Sequence, residues 1–291
     1  MIKERRIACA GYATRRLSVR GHEQLVFCLH GFSDSADTWR PLMAQLALLG
    51  HPVVAVDLPG FGCADWPPAG HPLIPELERF AAEAIVAASQ NGRRPLVVGN
   101  SLGALIALRL AARGNPPIGG VAALSPAGFG FSAALLYLSP FVPLLAAMGR
   151  RTPVPTALLR MSVTIAYRQS LGRRQFSKEA VSRYVSHLGS RSQFFDRLDA
   201  GRRLALEMEA LELEWLDSID CPVTLIWGDR DRLTPVVAGA RLLERLPTAD
   251  LTVLRGCGHC PQLEAPAEVA GLLDDFSRLA ELRGVDKRGG E

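Results

Sequence analysis

Lysine is almost absent from this sequence of 291 residues. Only Lys3, Lys178 and Lys287 occur, against 30 arginines, and the net charge is +4. This bias, together with the abundant alanine and leucine, indicates codon usage rather than a chemical role. The cations form no basic face with interleaved aromatic side chains, so a nucleic-acid-binding protein is not favoured.

Cysteine is also scarce. Six cysteines in a chain of this length are too few for a disulfide scaffold. Cys257 and Cys260 form a C-x-x-C pair, but no second pair of cysteines or histidines lies at zinc spacing, so neither a metal site nor a redox site is predicted. Residues 1–20 lack the apolar run and the cleavage site of a secretory signal, and we therefore expect a cytoplasmic protein.

Internal repeats and low-complexity tracts are missing as well. Hydrophobic residues make up 48% of the chain and charged residues 21%, which excludes a disordered protein. Gly60 and Gly62 suggest a phosphate loop, but no Lys-Ser/Thr pair follows them, so a nucleotide-binding P-loop is excluded. What remains is a globular chain long enough to bury a sizeable core.

Short apolar runs alternate with helical patterns in residues 1–125 and 219–291. Runs that end at glycine or a turn predict buried strands. The predicted strands are 25–29, 52–56, 96–98, 120–124, 223–227 and 251–254, with 6–19 as antiparallel edge strands. The predicted helices are 39–49, 77–89, 102–112, 237–246 and 267–282. This alternation predicts an α/β core domain with a parallel sheet covered on both faces.

Residues 126–218 interrupt the alternation with helical stretches, which predicts a helical cap inserted into the core domain. Within it, Phe129 to Met148 is a run without charge that at first suggests a membrane span. Pro140 and Pro143 favour two short apolar helices with a bend instead. Residues 150–203 then carry 12 basic and 3 acidic side chains. That excess either attracts an anionic substrate or lipid, or is a solvated surface that follows the arginine bias.

The motif Gly99-Asn-Ser-Leu-Gly103 lies between a predicted strand and a predicted helix and fits the G-x-S-x-G nucleophile elbow. Such a sharp turn needs small residues on both sides, and the free N–H groups at the helix start favour an oxyanion. An acidic stretch from Asp229 to Asp231 follows a later strand, and His259 follows the next one. Serine, acid and histidine thus occur in the chain order of a hydrolase triad.

These stretches together resemble the α/β-hydrolase superfamily, specifically its cap-bearing serine hydrolase branch of esterases and carbon–carbon bond hydrolases. The matching stretches are 30–32, 57–62, 99–103, 228–231 with Pro235, and 258–259. The resemblance implies the α/β-hydrolase fold, a mostly parallel sheet with helices on both faces and an inserted helical cap. It also implies no cofactor.

The resemblance assigns roles to individual positions. Ser101 would be the nucleophile, His259 the base and Asp231 the acid, since the G-x-x-D spacing from Gly228 selects Asp231. Asp229 is the rival acid. The oxyanion hole would use the backbone N–H groups of Phe32 and Leu102, and structural support would come from His30, Gly31, Gly99 and Gly103. The other histidines, His22, His51, His71 and His187, have no partner pattern and are interpreted as surface or loop residues.

The leading interpretation is a serine hydrolase that cleaves a carboxylic ester of a lipophilic substrate through an acyl-enzyme. One alternative is a carbon–carbon bond hydrolase of dienoic diketone acids from ring cleavage. Asn100 fits that group, whereas Cys260 stands where those enzymes commonly carry tryptophan. A ligand receptor that retains the triad is a second alternative. The expected partner is a small lipophilic substrate and not a nucleic acid. Weak membrane-surface contact through the cap and a homodimer are left open.

Overall fold

One mixed sheet of eight strands organises the molecule, whose computed structural model describes residues 1–68, 70–89, 93–130, 151, 155–172, 178–187 and 190–286. The strands are β1 (Lys3–Cys9), β2 (Tyr12–Val19), β3 (Val26–Leu29), β4 (Val53–Val56), β5 (Leu96–Asn100), β6 (Gly120–Leu124), β7 (Val223–Gly228) and β8 (Asp250–Leu254). They lie in the order β1-β2-β4-β3-β5-β6-β7-β8. The β1–β2 and β2–β4 pairs are antiparallel and the other pairs are parallel, which confirms the predicted sheet.

Helices cover both faces of this sheet. Numbered along the described residues, they are α1 (Arg40–Leu48), α2 (Leu73–Ala88), α3 (Leu102–Arg113), α4 (Thr156–Ser170), α5 (Lys178–Ser186), α6 (Arg191–Glu209), α7 (Val237–Arg245), α8 (Pro261–Glu264) and α9 (Pro266–Asp286). Two 3₁₀ turns span Ala36–Trp39 and Glu214–Ser218. None of the described helices is long and apolar enough to cross a membrane.

The sequences of the central strands are continuous apolar runs because each strand is buried on both faces. Alternate residues of β3 illustrate this: Phe27 and Leu29 belong to one hydrophobic cluster, whereas Val26 and Cys28 belong to the cluster on the opposite face. All four side chains are fully buried. The carboxyl ends of the parallel strands therefore meet at one edge, where the loops that carry the predicted motifs begin.

Helix α2 begins at Leu73, four residues before the predicted start. Prolines at 72 and 75 obscure this start in the sequence, although proline is tolerated in the first turn of a helix. The start is capped from a distance, since the backbone N–H groups of Leu73 and Ile74 donate to the two carboxylate oxygens of Glu207 on α6, each at 2.8 Å. A cap supplied by another element is invisible to local sequence patterns.

Between β6 and β7, the described residues form only helices, α4 to α6 and the 3₁₀ turn at Glu214–Ser218. Helix α6 starts with a capping box in which Ser190 and Gln193 satisfy each other's backbone N–H groups. The two short apolar helices predicted within Phe129–Met148 lie almost wholly outside the described residues.

A buried ion network joins this helical segment to the sheet. Arg15 of β2 donates from Nε to Asp57 at 2.9 Å and from Nη2 to Asp37 at 2.8 Å. His187, just after α5, lies 2.9 Å from the same Asp37 carboxylate through its Nε2. Burial alone would raise the pKa of Asp37, but hydrogen bonds from His187, Arg40 and Arg15 lower it below its usual range. The loops after β3 and β4 and the end of α5 are thereby fixed to one another.

Candidate active site

Ser101 lies at the sharp turn between β5 and α3. Its backbone has φ +54° and ψ −114°, a conformation that non-glycine residues rarely adopt. A Cβ on Gly99 would lie 2.3 Å from the Gly103 carbonyl oxygen, and a Cβ on Gly103 would lie 2.1 Å from the Leu29 carbonyl oxygen. The helix therefore approaches the strands so closely that both flanking positions require glycine, which is the physical content of the predicted motif.

His259 and Asp231 form a buried pair on the loops after β8 and β7. Nδ1 of His259 lies 2.8 Å from Oδ2 of Asp231, with 8% and 0% of the two side chains exposed. Because a carboxylate only accepts, Nδ1 carries the proton and Nε2 is left with its lone pair. The imidazole is thus held in the tautomer that can take a proton from a nearby hydroxyl group.

The Asp231 carboxylate is held in place by its own loop. Oδ1 accepts the backbone N–H groups of Leu233 at 2.8 Å and Thr234 at 3.0 Å, and Oδ2 accepts the Thr234 hydroxyl at 2.8 Å. Burial alone would raise the pKa of Asp231, but the attraction of His259 and these hydrogen bonds outweigh it and lower the pKa. Thr234 is fixed in turn by Trp227, whose indole N–H donates to its carbonyl oxygen at 2.8 Å.

The rival carboxylate, Asp229, has a different place. It is exposed, and its Oδ1 accepts the backbone N–H of Gly256 at 2.6 Å. Asp229 therefore stabilises the turn after β8, whereas Asp231 is the carboxylate that contacts His259.

Hydrogen bonds of the Asn100 side chain join the elbow to the histidine loop. The sequence did not predict this connection. The Asn100 amide donates to the carbonyl oxygens of His259 at 2.9 Å and Leu124 at 3.2 Å. Its own Oδ1 accepts the Gln262 amide at 3.2 Å. Asn100 and Gln262 are both buried. The residue before Ser101 thus fixes the backbone of His259, an interaction that local spacing could not reveal.

Glu264 is a second positioning group that the sequence reasoning missed. Its buried carboxylate accepts the N–H of Gly258 at 3.1 Å and the N–H of Cys260 at 3.3 Å, on either side of His259. It also accepts the N–H of Gly172, just after α4, at 2.7 Å. One carboxylate therefore holds the histidine loop against the inserted helical segment.

The inserted segment contacts the histidine loop directly. The backbone N–H of His259 donates to the Ser170 carbonyl oxygen of α4 at 3.0 Å. A Cβ on Gly258 would lie 2.3 Å from the Gly172 backbone nitrogen. The end of α4 thus packs on the same loop that Glu264 holds.

The loop after β3 lies against the elbow. A Cβ on Gly31 would lie 3.2 Å from the Ser101 Cβ, so the following Phe32 is brought beside Ser101. Within the described part of the chain, the backbone N–H groups of Phe32 and Leu102 donate to no other protein group. His30 orders this loop: Nε2 accepts the Leu58 N–H at 2.9 Å and Nδ1 lies 2.8 Å from the Gly31 carbonyl oxygen. Burial lowers the pKa of His30 to about 4, so the ring is neutral.

Two other histidines have partners that the sequence did not reveal. His51 lies in a loop but is buried, with Nε2 at 3.1 Å from an Asp274 carboxylate oxygen, and His187 binds Asp37 as described above. Cys257 and Cys260 are buried and form no disulfide. Among the described residues, no group of three or more His, Cys, Asp or Glu side chains could hold a metal ion.

A model of the alpha/beta hydrolase family matches residues 25–272. The chain belongs to this family. The resemblance inferred from the motifs is confirmed, and the protein is an alpha/beta hydrolase in its fold and its family.

Two relatives and one solved structure illustrate what this alpha/beta hydrolase is similar to. It is 28% identical over 279 residues to 2-hydroxy-6-oxononadienedioate/2-hydroxy-6-oxononatrienedioate hydrolase 2 of Pseudomonas putida, covering 87% of each chain. It is 25% identical over 280 residues to monoacylglycerol lipase ABHD6 of Mus musculus, covering 92% of this chain and 79% of the lipase. The crystal structure of a membrane phospholipase A, a bacterial virulence factor, superposes with a TM-score of 0.76 at 23% identity, covering 96% of this chain and 87% of that one.

Substitution Glu264→Gln tests the positioning of the histidine loop. The amide would turn an N–H toward backbone donors, so we expect the free energy of unfolding to fall by about 2 kcal/mol. The low-field Nδ1 proton of His259, read by NMR, should also shift or broaden. Substitution of the exposed Glu244→Gln on α7 is the matched control and should change stability by less than about 0.5 kcal/mol. An unchanged His259 signal in Glu264→Gln would show that this carboxylate does not position the ring.

Proposed function

We propose that this alpha/beta hydrolase is a serine hydrolase that cleaves a carboxylic ester of a lipophilic substrate through an acyl-enzyme. The observation that carries this proposal is the buried His259–Asp231 pair, whose loop is hydrogen-bonded to Asn100, next to Ser101 in the strained elbow. Serine, histidine and aspartate are the groups that such a reaction requires.

In the proposed reaction, the Ser101 hydroxyl oxygen attacks the ester carbonyl carbon while Nε2 of His259 takes the hydroxyl proton. Asp231 stabilises the imidazolium that forms. The carbonyl oxygen becomes an oxyanion that accepts the backbone N–H groups of Phe32 and Leu102. When the tetrahedral intermediate collapses, the bond to the alcohol oxygen breaks and His259 returns its proton to that oxygen.

The second half of the reaction repeats these roles with water. His259 takes a proton from water, the resulting hydroxide attacks the acyl-enzyme, and the oxyanion hole again accepts the developing charge. The carboxylic acid leaves as Ser101 recovers its proton from His259. The tight packing at Gly31, Gly99 and Gly103 supports donors that stabilise the oxyanion without reorganising.

We further propose that residues 126–218 form a helical cap on a core of residues 1–125 and 219–291, and that the cap selects the substrate. The hydrogen bonds from His259 to Ser170 and from Gly172 to Glu264 support a cap that packs beside the reacting groups. The relative that is a monoacylglycerol lipase supports an acyl ester as the substrate class.

Carbon–carbon bond hydrolysis is the second candidate. It is favoured by the 28% identical hydrolase of Pseudomonas putida, whose name gives a dienedioate substrate, and by Asn100 before the nucleophile. Cys260 after the proposed base argues against it, since that group commonly has tryptophan there. A receptor that retains the triad is a third candidate and would bind substrate without repeated turnover.

The acid assignment predicts a sharp difference between two neighbouring carboxylates. Asp231→Asn should lower kcat for ester hydrolysis by about 10⁴-fold, because the amide reverses the donor and acceptor roles at Nδ1. Asp229→Asn is the matched control and should stay within about threefold of the wild-type kcat. A fluorophosphonate probe should label the wild type and not Ser101→Ala. Equal labelling of both proteins would refute the nucleophile, and equal kcat values for the two Asp variants would refute the acid.

A substrate profile separates the candidate reactions. Across p-nitrophenyl esters from acetate to dodecanoate, kcat/KM should rise by roughly fourfold per methylene until the pocket is full, since each buried methylene contributes about 0.8 kcal/mol. A dienoic ring-cleavage product assayed alongside should turn over more slowly than the best ester. Faster turnover of the dienoic acid would select carbon–carbon bond hydrolysis, and a single turnover with every substrate would select a receptor. Ser101→Ala controls for background hydrolysis.

We also propose weak contact of the cap with an anionic membrane surface. Leu158, Met161 and Ile165 share one face of α4 by their spacing, and each is about half exposed. The excess of basic residues in 150–203 has the sign that anionic lipids attract.

Vesicle co-sedimentation tests this contact. The wild type should pellet with phosphatidylglycerol vesicles and much less with phosphatidylcholine vesicles. The double variant Met161→Gln/Ile165→Gln should bind about tenfold more weakly, because it removes the apolar side chains that would insert. Leu279→Gln on α9, a similarly exposed apolar position, is the matched control and should bind like the wild type. Equal pelleting of all three proteins, or none, would exclude the contact.

A further inference from the structure

A cavity of about 290 Å³ lies between the loop after β4 and helices α5 and α6. Its described lining includes Gly60 and Trp66 from the loop, His187 after α5, and Gln193 and Arg197 of α6. Ser101, Asp231 and His259 do not line it, so it is distinct from the candidate active site. No described lining residue is acidic.

Arg197 gives this cavity its charge. Only 7% of the residue is exposed, and its buried Nε has no hydrogen-bond partner within the part of the chain that the structure describes. Among the described residues it forms no ion pair, whereas Arg203 two turns further along the same helix pairs with Asp199. Burial lowers the pKa of Arg197, but a guanidinium remains charged in proteins. A buried cation without a counter-ion is costly, and an anion in the cavity would relieve that cost.

The neighbouring groups indicate the kind of anion. The guanidinium group matches a planar carboxylate, which accepts two parallel N–H groups. The Trp66 ring offers an apolar surface for the rest of the ligand, and the Gln193 amide offers a neutral polar group. The cavity volume is at the lower limit of small-molecule pockets, so the ligand is small. We propose that this cavity binds a small organic carboxylate, with its charged group on Arg197 and its apolar body against Trp66.

The cavity also adjoins the loop that carries the proposed oxyanion donor. The Trp66 ring contacts Phe61 at a centroid distance of 6.5 Å, and Phe61 contacts the Phe32 ring edge-on at 5.4 Å. From α6, a Cβ on Gly201 would lie 2.9 Å from the Phe32 ring. The Phe32 ring therefore lies between Phe61, which also contacts Trp66, and the helix that carries Arg197.

Calorimetric titration with benzoate tests the site without any catalytic step. Wild type should bind benzoate saturably with one site per chain, and Arg197→Gln should bind at least tenfold more weakly. Arg203→Gln on the same helix is the matched control and should bind like the wild type. Benzamide, a neutral molecule of the same shape, should bind at least tenfold more weakly than benzoate. Because benzoate is not an ester, this result is independent of whether Ser101 proves to be a nucleophile.

The melting temperature of the variant and the binding of phosphate provide two further tests. Without ligand, Arg197→Gln should melt at the same temperature as the wild type or higher, because the substitution removes an unpaired buried charge. Inorganic phosphate should bind more weakly than benzoate, since it has no apolar body. The proposal is overturned if benzoate binding is absent or equal in wild type and Arg197→Gln. It is also overturned if benzamide or phosphate matches benzoate, or if Arg197→Gln melts several degrees lower.

Discussion

The close approach of α3 to the strands at Ser101 is the constraint on which the rest of the site depends. Gly103 sits against the Leu29 carbonyl oxygen and Gly99 against the Gly103 carbonyl oxygen, with no room for a Cβ at either position. The turn can then place Ser101 at positive φ at the edge where the parallel strands end. Two close backbone contacts maintain the strained conformation of Ser101. The neighbouring loops pack against this turn.

Two buried carboxylates hold the loops in place by accepting hydrogen bonds from backbone N–H groups. Asp57 accepts the backbone N–H groups of Ala36 at 2.7 Å and Cys63 at 2.8 Å and binds Arg15, so it ties together the loops after β3 and β4. Glu264 does the same for the histidine loop and the end of α4. Each carboxylate satisfies amide groups that would otherwise be buried without partners. The geometry of the loops is therefore fixed by side chains that take no part in the proposed chemistry.

Within the described residues, the helical segment between β6 and β7 joins the core through apolar packing and through specific polar contacts. Glu207 caps α2, His187 joins the ion network at Asp37, and Ser170 accepts the His259 N–H. It also carries an apolar face on α4 and, on α6, a buried arginine, Arg197, that pairs with none of the described residues. The proposed membrane contact and the proposed carboxylate site rest on these two features.

From the sequence alone, the sheet, the main helices that flank it and the family could be predicted. Apolar runs buried on both faces carry a strong local signal, and the G-x-S-x-G spacing is a local motif, although the contact that requires Gly103 comes from Leu29 on β3. The choice of Asp231 over Asp229 rested on a family spacing, and only the folded loops show which carboxylate reaches His259.

Only the tertiary structure reveals the hydrogen bonds that position the histidine loop and cap helix α2. Asn100 meets the His259 carbonyl across 159 positions, Gly172 meets Glu264 across 92, and Glu207 caps a helix 134 residues away. No local period encodes such pairs, because the fold brings together residues that lie far apart in the sequence. An arginine left unpaired in a cavity is equally invisible in a chain that carries 30 of them. Arg197 differs from most of the described arginines because it is buried, and its burial depends on the residues that the fold packs around it.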